Sequence, residues 1–168
     1  MSEPVVVGVD FAHHAFDVVA VATRLAEDLE TSLVLAHVLE LAPGMKPETL
    51  IQPAWAEAPL PAREALEIDA RKHLAPLVEL CEMEGVEAVT CLLLGPRVPT
   101  LAACAAERGA RFLVVGTHTG SGLLARFGSR TEKLADAAHC PLVVVKPGGD
   151  LGPGDSTVQS QVLSEEDG

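Results

Sequence analysis

Short runs of apolar, β-branched residues alternate along the chain with stretches in which apolar residues recur every three or four positions. The first run, residues 5–9, ends at Asp10, and residues 15–29 follow with apolar positions on a single helical face. A continuous apolar run predicts a strand that is buried on both faces, and the three-to-four spacing predicts an amphipathic helix. The chain therefore begins with a strand and a helix that pack together.

The same alternation continues to residue 145. The predicted strands cover residues 5–9, 32–38, 86–94, 112–115 and 141–145, and the predicted helices cover 15–29, 62–84, a stretch around Leu101 that ends near Gly109, and 130–138. This order predicts a doubly wound, Rossmann-like α/β fold: a five-stranded parallel sheet with helices on both faces. Ligands of such folds bind beyond the carboxyl ends of the strands, where the strand order reverses.

Prolines and glycines mark the places where the alternation is interrupted. Residues 41–61 contain five prolines and are predicted to be a loop or lid that lacks regular hydrogen bonding over most of its length. Pro76 predicts a kink in the long helix, and Gly85 predicts its C-terminal cap. Residues 148–168 are polar, acidic and rich in glycine, which predicts a disordered tail after one domain of residues 1–147.

The composition argues against several classes of function. The chain has 24 acidic and 12 basic residues and a formal net charge of -12, so general binding to nucleic acid or to an anionic membrane is not expected. The N-terminus MSEPVVVGVD lacks the features of a signal peptide or membrane span. A reducing cytoplasm is therefore expected. Buried free thiols are favoured over a zinc site, because the cysteines are widely spaced and none form a CxxC pair. The cysteines are Cys81, Cys91, Cys104 and Cys140.

A glycine-rich segment from Gly116 to Lys133 follows the fourth predicted strand, and a helix begins in it near Ser129. Glycine permits close backbone approach, and the N-terminus of a helix attracts anions, so this segment predicts phosphate binding. The segment also concentrates three of the 12 bases, Arg126, Arg130 and Lys133. A capping box made by Ser129 and Glu132 would explain these two residues without any ligand.

The order of elements and this segment resemble the universal stress protein family over residues 4–147. ATP-binding members of the family carry a glycine, two residues, a glycine, nine residues, and then a glycine with serine or threonine. Gly116 matches the first glycine, and Gly128 with the serine after it matches the final pair. The middle departs from the pattern, because Thr119 stands at the second glycine, Gly120 follows it, and the span to the final pair is one residue short.

The resemblance implies that Asp10 contacts the nucleoside and that Val38 lies beside adenine. Both lie at the ends of predicted strands, where a carboxylate can accept a ribose hydroxyl and an apolar side chain can cover a base. The alternatives are a cap or turn role for Asp10 and core packing for Val38. The predicted nucleotide-binding residues are Val9, Asp10, Val38, Val115, Gly116, His118, Gly120, Gly128, Ser129, Arg130 and Thr131.

Two functions follow from the resemblance. In the first, the domain binds ATP, with Mg²⁺, or a related adenine nucleotide, and signals in the stress response through association with partners. In the second, the altered loop no longer binds phosphate, and an ATP-free interaction protein works through its dimer surface. The family usually dimerises, and the fifth predicted strand offers an open sheet edge for this. No metal-ligand spacing or nucleophile motif is present, so at most slow ATP hydrolysis is expected.

Overall fold

The computed structural model describes residues 3–11, 14–117 and 129–146. The helices there are α1 (Ala15–Asp28), α2 (Ala62–Met83), α3 (Arg97–Glu107) and α4 (Ser129–Ala137). The strands are β1 (Val5–Gly8), β2 (Leu33–Leu39), β3 (Leu50–Ile51), β4 (Leu60–Pro61), β5 (Ala88–Leu94), β6 (Phe112–Gly116) and β7 (Leu142–Val145). The predicted strands and helices are all present, with ends shifted by one or two residues. The predicted tail lies outside the described residues.

The described part of the chain forms a five-stranded sheet in the order β5-β2-β1-β6-β7, and every neighbouring pair in it is parallel. From the central β1 the chain moves outward through β2 to β5 and then returns to the other side of β1 at β6. The strand order therefore reverses between β1 and β6, whose carboxyl ends lie at Gly8 and Gly116. The predicted doubly wound α/β fold is confirmed.

Helices cover the sheet on two faces. Alternate strand residues point to opposite faces, so a strand covered on both sides must be apolar at every position. On the first face, α1 and α2 pack against Val7 and Leu35, with Leu74 from α2 in the same cluster. On the second face, α3 and α4 pack against Val6 and Val34. The cores on these two faces account for the apolar runs in β1 and β2.

The first three helices end in the same backbone motif. After α2, the N–H groups of Gly85 and Val86 donate to carbonyls of the last helical turn, each at 3.0 Å, and Gly85 has φ of 76°. This arrangement is a Schellman motif and confirms the predicted cap. Gly109 occupies the same position after α3 with φ of 60°, whereas Glu30 occupies it after α1 with φ of 52°. A side chain is therefore held in the left-handed region at the end of α1.

The Pro-rich segment, residues 41–61, is more ordered than its sequence predicts. Two residues in its middle and its last two residues pair as the antiparallel strands β3 and β4, in the register Leu50↔Pro61 and Ile51↔Leu60. The N–H of Ala62 also donates to the Thr49 carbonyl at 2.8 Å. The segment is otherwise without strand or helix, and the short hairpin forms because proline removes only its own N–H, so the groups of its neighbours still pair.

The Pro-rich segment also rests on α2. The Trp55 ring lies 4.6 Å from the Nζ atom of Lys72 on α2, which is the geometry of a cation–π contact. Pro76 lies inside α2, and the helix continues past it. The kink predicted at Pro76 stays a prediction.

Candidate functional site

A cleft opens at the carboxyl ends of the strands, at the point where the strand order reverses. It holds about 630 Å³ of empty space, counting the part that is open to solvent. Strand residues form one side, and the first turns of α3 and α4 lie across from them. Its lining includes Gly8, Val9, Asp10, Ala36, Val38, Arg97, Val98, Leu101, Val115, Gly116, Arg130, Thr131 and Leu134. A cleft at this place is where a doubly wound fold binds its ligand.

The structure brings most of the predicted site residues together in this cleft. Those that line it are Val9, Asp10, Val38, Val115, Gly116, Arg130 and Thr131. His118, Gly120 and Gly128 lie outside the described residues, and Ser129 is described only as the first residue of α4. The sequence therefore identified both strand-end residues and the first turn of α4 as neighbours in space.

The strand side of the cleft is apolar and closely packed. Val38 and Val115 are buried beneath its surface. A Cβ atom added at Gly8 would lie 2.6 Å from Cδ2 of Leu101 and 3.2 Å from Cγ1 of Val115, so glycine lets α3 approach the strand ends. An apolar surface of this kind suits a flat ring that must leave water.

The mouth of the cleft carries charged groups of both signs. Asp10 follows β1, and Arg130 lies in the first turn of α4. Arg97, in the first turn of α3, has its Nη2 atom 2.9 Å from Oε1 of Glu40. Guanidinium groups and the N-terminus of a helix favour an anion, and a carboxylate accepts hydrogen bonds from hydroxyl groups. The cleft can therefore hold a molecule with a flat apolar part, hydroxyl groups and an anionic group.

The contribution of α3 to the cleft was not predicted from the sequence. Val98 and Leu101 line the cleft together with Arg97, although Leu101 was predicted only as a helix residue. A signal was available in the sequence, because Gly95 and Pro96 end the third predicted strand at the same edge of the sheet as Asp10. The helix that begins there must place its first turn beside the site.

An aromatic and imidazole cluster on the first face holds the end of β1. The Nδ1–H of His37 donates to the carbonyl oxygen of Val9 at 2.6 Å. The ring of Phe11 lies 4.2 Å from the His37 ring and 4.8 Å from the His73 ring, measured between centroids. Burial lowers the pKa of His37, although its hydrogen bond to Val9 acts in the opposite direction. A neutral His37 thus supports the backbone on both sides of Asp10.

Other candidate sites are absent from the described ranges. No group of three or more His, Cys, Asp or Glu residues there could hold a metal ion. No helix in these ranges has both the length and the apolar character needed to cross a membrane. Cys81 and Cys104 are buried free thiols, as predicted, whereas Cys91 and Cys140 are only partly buried. Burial, together with the neighbouring Cys91 thiol, raises the pKa of Cys104 to about 11, so this thiol stays protonated.

Comparison with known proteins gives a family and a fold. The model of the universal stress protein family matches residues 1–146. None of the curated proteins compared with the chain matches it. A universal stress protein from Archaeoglobus fulgidus superposes with a TM-score of 0.65 at 23% identity, over 86% of this chain and 98% of that one.

Two further structures of similar fold contain adenine nucleotides. The universal stress protein from Archaeoglobus fulgidus in complex with dAMP has a TM-score of 0.63 at 23% identity, over 85% of this chain and 97% of that one. A universal stress protein in complex with cAMP has a TM-score of 0.63 at 20% identity, over 87% and 98%. Likeness at this level of identity shows that the fold is shared.

Proposed function

The chain belongs to the universal stress protein family, and from this premise we propose that its cleft binds ATP or a related adenine nucleotide. Binding would change how the protein associates with partners in the stress response. The observation that carries the proposal is that Asp10, Val38 and Arg130, which lie far apart in sequence, line a single cleft at the point of strand reversal.

The apolar side of the cleft is suited to the base and the sugar. Val38, Val115 and Leu101 present aliphatic surface on which a planar purine can lie. Asp10 lies at the carboxyl end of β1, where its carboxylate can accept hydrogen bonds from the ribose hydroxyls. The base would therefore lie between β2 and α3, with the sugar above β1.

The first turn of α4 is suited to the phosphates. Arg130 and Thr131 supply a guanidinium and a hydroxyl group beside the N-terminus of this helix, and Arg97 adds a second guanidinium to the cleft. These groups together favour an anion. Contacts of His118, Gly120, Gly128 and Ser129 with the phosphates stay predictions of the family motif.

Mg²⁺ is expected with a triphosphate. It is usually bound through one or two carboxylates together with phosphate oxygens and water. Asp10 is the carboxylate among the described residues of the cleft lining, so it is the residue that would hold the ion or its water shell. The ion would offset phosphate charge in a chain whose formal net charge is -12.

The similar structures support an adenine nucleotide, and their ligands, dAMP and cAMP, each carry one phosphate. The loop departures at Thr119 and in loop length favour the second candidate function, an ATP-free protein that acts through its association surface. We expect the cytoplasm as its compartment under either function. The pairing of two copies through β7, which the sequence predicts, stays a prediction.

Calorimetric titration of the protein with AMP, cAMP and ATP, the last with and without Mg²⁺, tests the proposal. Loss of a charge-assisted hydrogen bond should make Arg130→Ala bind at least about 10-fold more weakly. Arg24→Ala serves as a matched control, because Arg24 is exposed on α1 and does not line the cleft. Absence of heat and of thermal stabilisation with every nucleotide at millimolar concentration would favour the second function. Equal weakening of nucleotide binding by Arg130→Ala and Arg24→Ala would indicate that the phosphates do not bind at Arg130.

A further inference from the structure

Two cysteines on successive elements lie level with each other across a short connection. Only Gly95 and Pro96 separate the end of β5 from the start of α3. Cys91 lies about 10 Å before the end of β5, and Cys104 lies about 10 Å along α3 from its first residue. Because α3 runs back along the sheet, these equal distances place the two cysteines side by side.

The side chains of Cys91 and Cys104 meet on the second face of the sheet. Side chains alternate along β5, so that Ala88 and Leu92 pack in the core of the first face, whereas Cys91 and Leu93 pack in the core of the second. Cys104 is buried in the same second-face core. A side-chain hydrogen bond joins the two thiols. The fold thus builds a pair of neighbouring thiols from two different elements.

One member of this cysteine pair is accessible from outside. Cys104 is enclosed, with 4% of its surface exposed, whereas Cys91 is only partly buried. Val89 points to the same face as Cys91 from two residues earlier and is 44% exposed, so the second face is open to water at this part of β5. The oxidation of a thiol depends on its exposure. A small oxidant would therefore reach Cys91 first.

We propose that Cys91 and Cys104 form a site of reversible oxidation, at which hydrogen peroxide converts the two thiols into a disulfide. The Cys91 thiolate attacks one oxygen of the peroxide, the O–O bond breaks, and the leaving hydroxide takes up the Cys91 proton, so that a sulfenic acid and water form. The Cys104 sulfur then attacks the Cys91 sulfur, the S–O bond breaks, and hydroxide leaves with the Cys104 proton as a second water. Two electrons pass from the sulfur atoms to the peroxide.

The surroundings of Cys104 suit the second of these steps. Burial raises the pKa of Cys104, whereas the guanidinium of Arg108, at the end of α3, lowers it. Cys104 is thus kept from direct reaction with the oxidant, and a positive charge lies beside its sulfur when that sulfur attacks. In a reducing compartment such a disulfide is transient and serves to sense an oxidant. It would tie β5 to α3, whose Leu101 lines the cleft, but the proposal does not depend on nucleotide binding.

Mass spectrometry of the reduced protein after treatment with hydrogen peroxide tests the proposal without any substitution. The intact protein should lose the mass of two hydrogen atoms and regain it in dithiothreitol. Trypsin cleaves after Arg97 and thereby separates the two cysteines, so a non-reducing digest should contain residues 73–97 joined to residues 98–108. Cys81 lies in the first of these peptides, so the digest is repeated on Cys81→Ser, which should give the same cross-link.

Substitution of each cysteine separates the two steps. Cys104→Ser should stop the reaction at a sulfenic acid on Cys91, which dimedone labels, whereas Cys91→Ser should neither lose mass nor take up the label. Cys140→Ser is the matched control, because Cys140 is also a partly buried free thiol, and this variant should still form the disulfide.

Three results would overturn the proposal. The first is a wild-type protein that keeps its mass in peroxide or only gains oxygen. The second is a digest in which the cross-link joins Cys81 or Cys140. The third is an intramolecular disulfide that still forms in Cys91→Ser or in Cys104→Ser.

Discussion

The two faces of the sheet differ in the length of the helices that cover them. On the first face, α1 and α2 have 14 and 22 residues, and on the second face α3 and α4 have 11 and 9. At 1.5 Å per residue, α2 is about 33 Å long and α4 about 13 Å, whereas the seven residues of β2 extend over roughly 23 Å. The cleft lies on this second face, where the shorter helices pack.

This difference indicates that the first face contributes mainly to stability, whereas the second face also forms the cleft. The first face buries large side chains that are fully enclosed, such as Leu74 and Leu77 on α2. On the second face, Leu101 and Leu134 are packed in the core and also line the cleft. Substitutions on the first face should therefore change mainly the free energy of unfolding, and substitutions on the second face should also change the cleft.

The largest expected effect comes from Leu74→Ala. Leu74 is 1% exposed, so its truncation leaves an enclosed cavity and should lower the free energy of unfolding by about 3–5 kcal/mol. Leu101→Ala removes the same atoms at a site 6% exposed beside the cleft, and should cost about 2–3 kcal/mol because the cavity opens into existing space. Urea unfolding of both variants gives the comparison. A larger cost for Leu101→Ala would contradict the assignment of stability to the first face.

A gain of stability is expected from Glu30→Gly at the end of α1. Glu30 has φ of 52°, where a side chain is strained and glycine is not, so this substitution should raise the free energy of unfolding by about 1 kcal/mol. Gly109→Ala makes the opposite change at the end of α3, where φ is 60°, and should lower the free energy of unfolding by about 1 kcal/mol. Thermal unfolding of both variants measures the effect. Destabilisation by Glu30→Gly would show that its side chain contributes more than the strain costs.

The smallest effect is a dependence of stability on pH through His37. Burial lowers the pKa of His37 in the folded protein below its ordinary value of 6.5, so the unfolded chain binds a proton first as the pH falls. Stability from the neutral ring is complete above pH 6.5 and decreases between that value and the lowered folded pKa.

His37→Asn keeps a side-chain donor near the Val9 carbonyl and should remove this part of the pH dependence. Urea unfolding at pH 7.5 and pH 5.5 measures it, with proton NMR to follow the His37 ring directly. A folded His37 that titrates above 6.5 would reverse the expected sign. Loss of the pH dependence in His37→Asn would show that a side chain on the first face supports the strand end at the cleft.

The fold could be predicted from the sequence because helices cover both faces of the sheet. Coverage on both faces favours apolar residues throughout β1, β6 and all of β2 except His37, which is why residues 5–9 and 32–38 stand out in the sequence. The pairing of β3 with β4 was not predictable, because two residues on each side leave no hydrophobic period to detect, and the prolines suggested its absence.

The site was predictable in part. Asp10 and Val38 lie at the carboxyl ends of apolar runs, so chain order alone places them at one edge of the sheet. Arg97 was not predicted as a site residue, although the Gly95-Pro96 break after the third predicted strand places the first turn of α3 at the same edge of the sheet. The ion pair between Arg97 and Glu40, which follow different strands, results from tertiary packing.

The cation–π contact between Trp55 and Lys72 has an optical consequence. Trp55 is the single tryptophan of a chain that has no tyrosine, so intrinsic fluorescence excited at the red edge of the absorption band comes from this ring alone. Its emission reports on the packing of the Pro-rich segment against α2, and the ring is not among the residues that line the cleft. The protein thus carries a native fluorophore on the first face, whereas the described residues that line the cleft include no aromatic side chain.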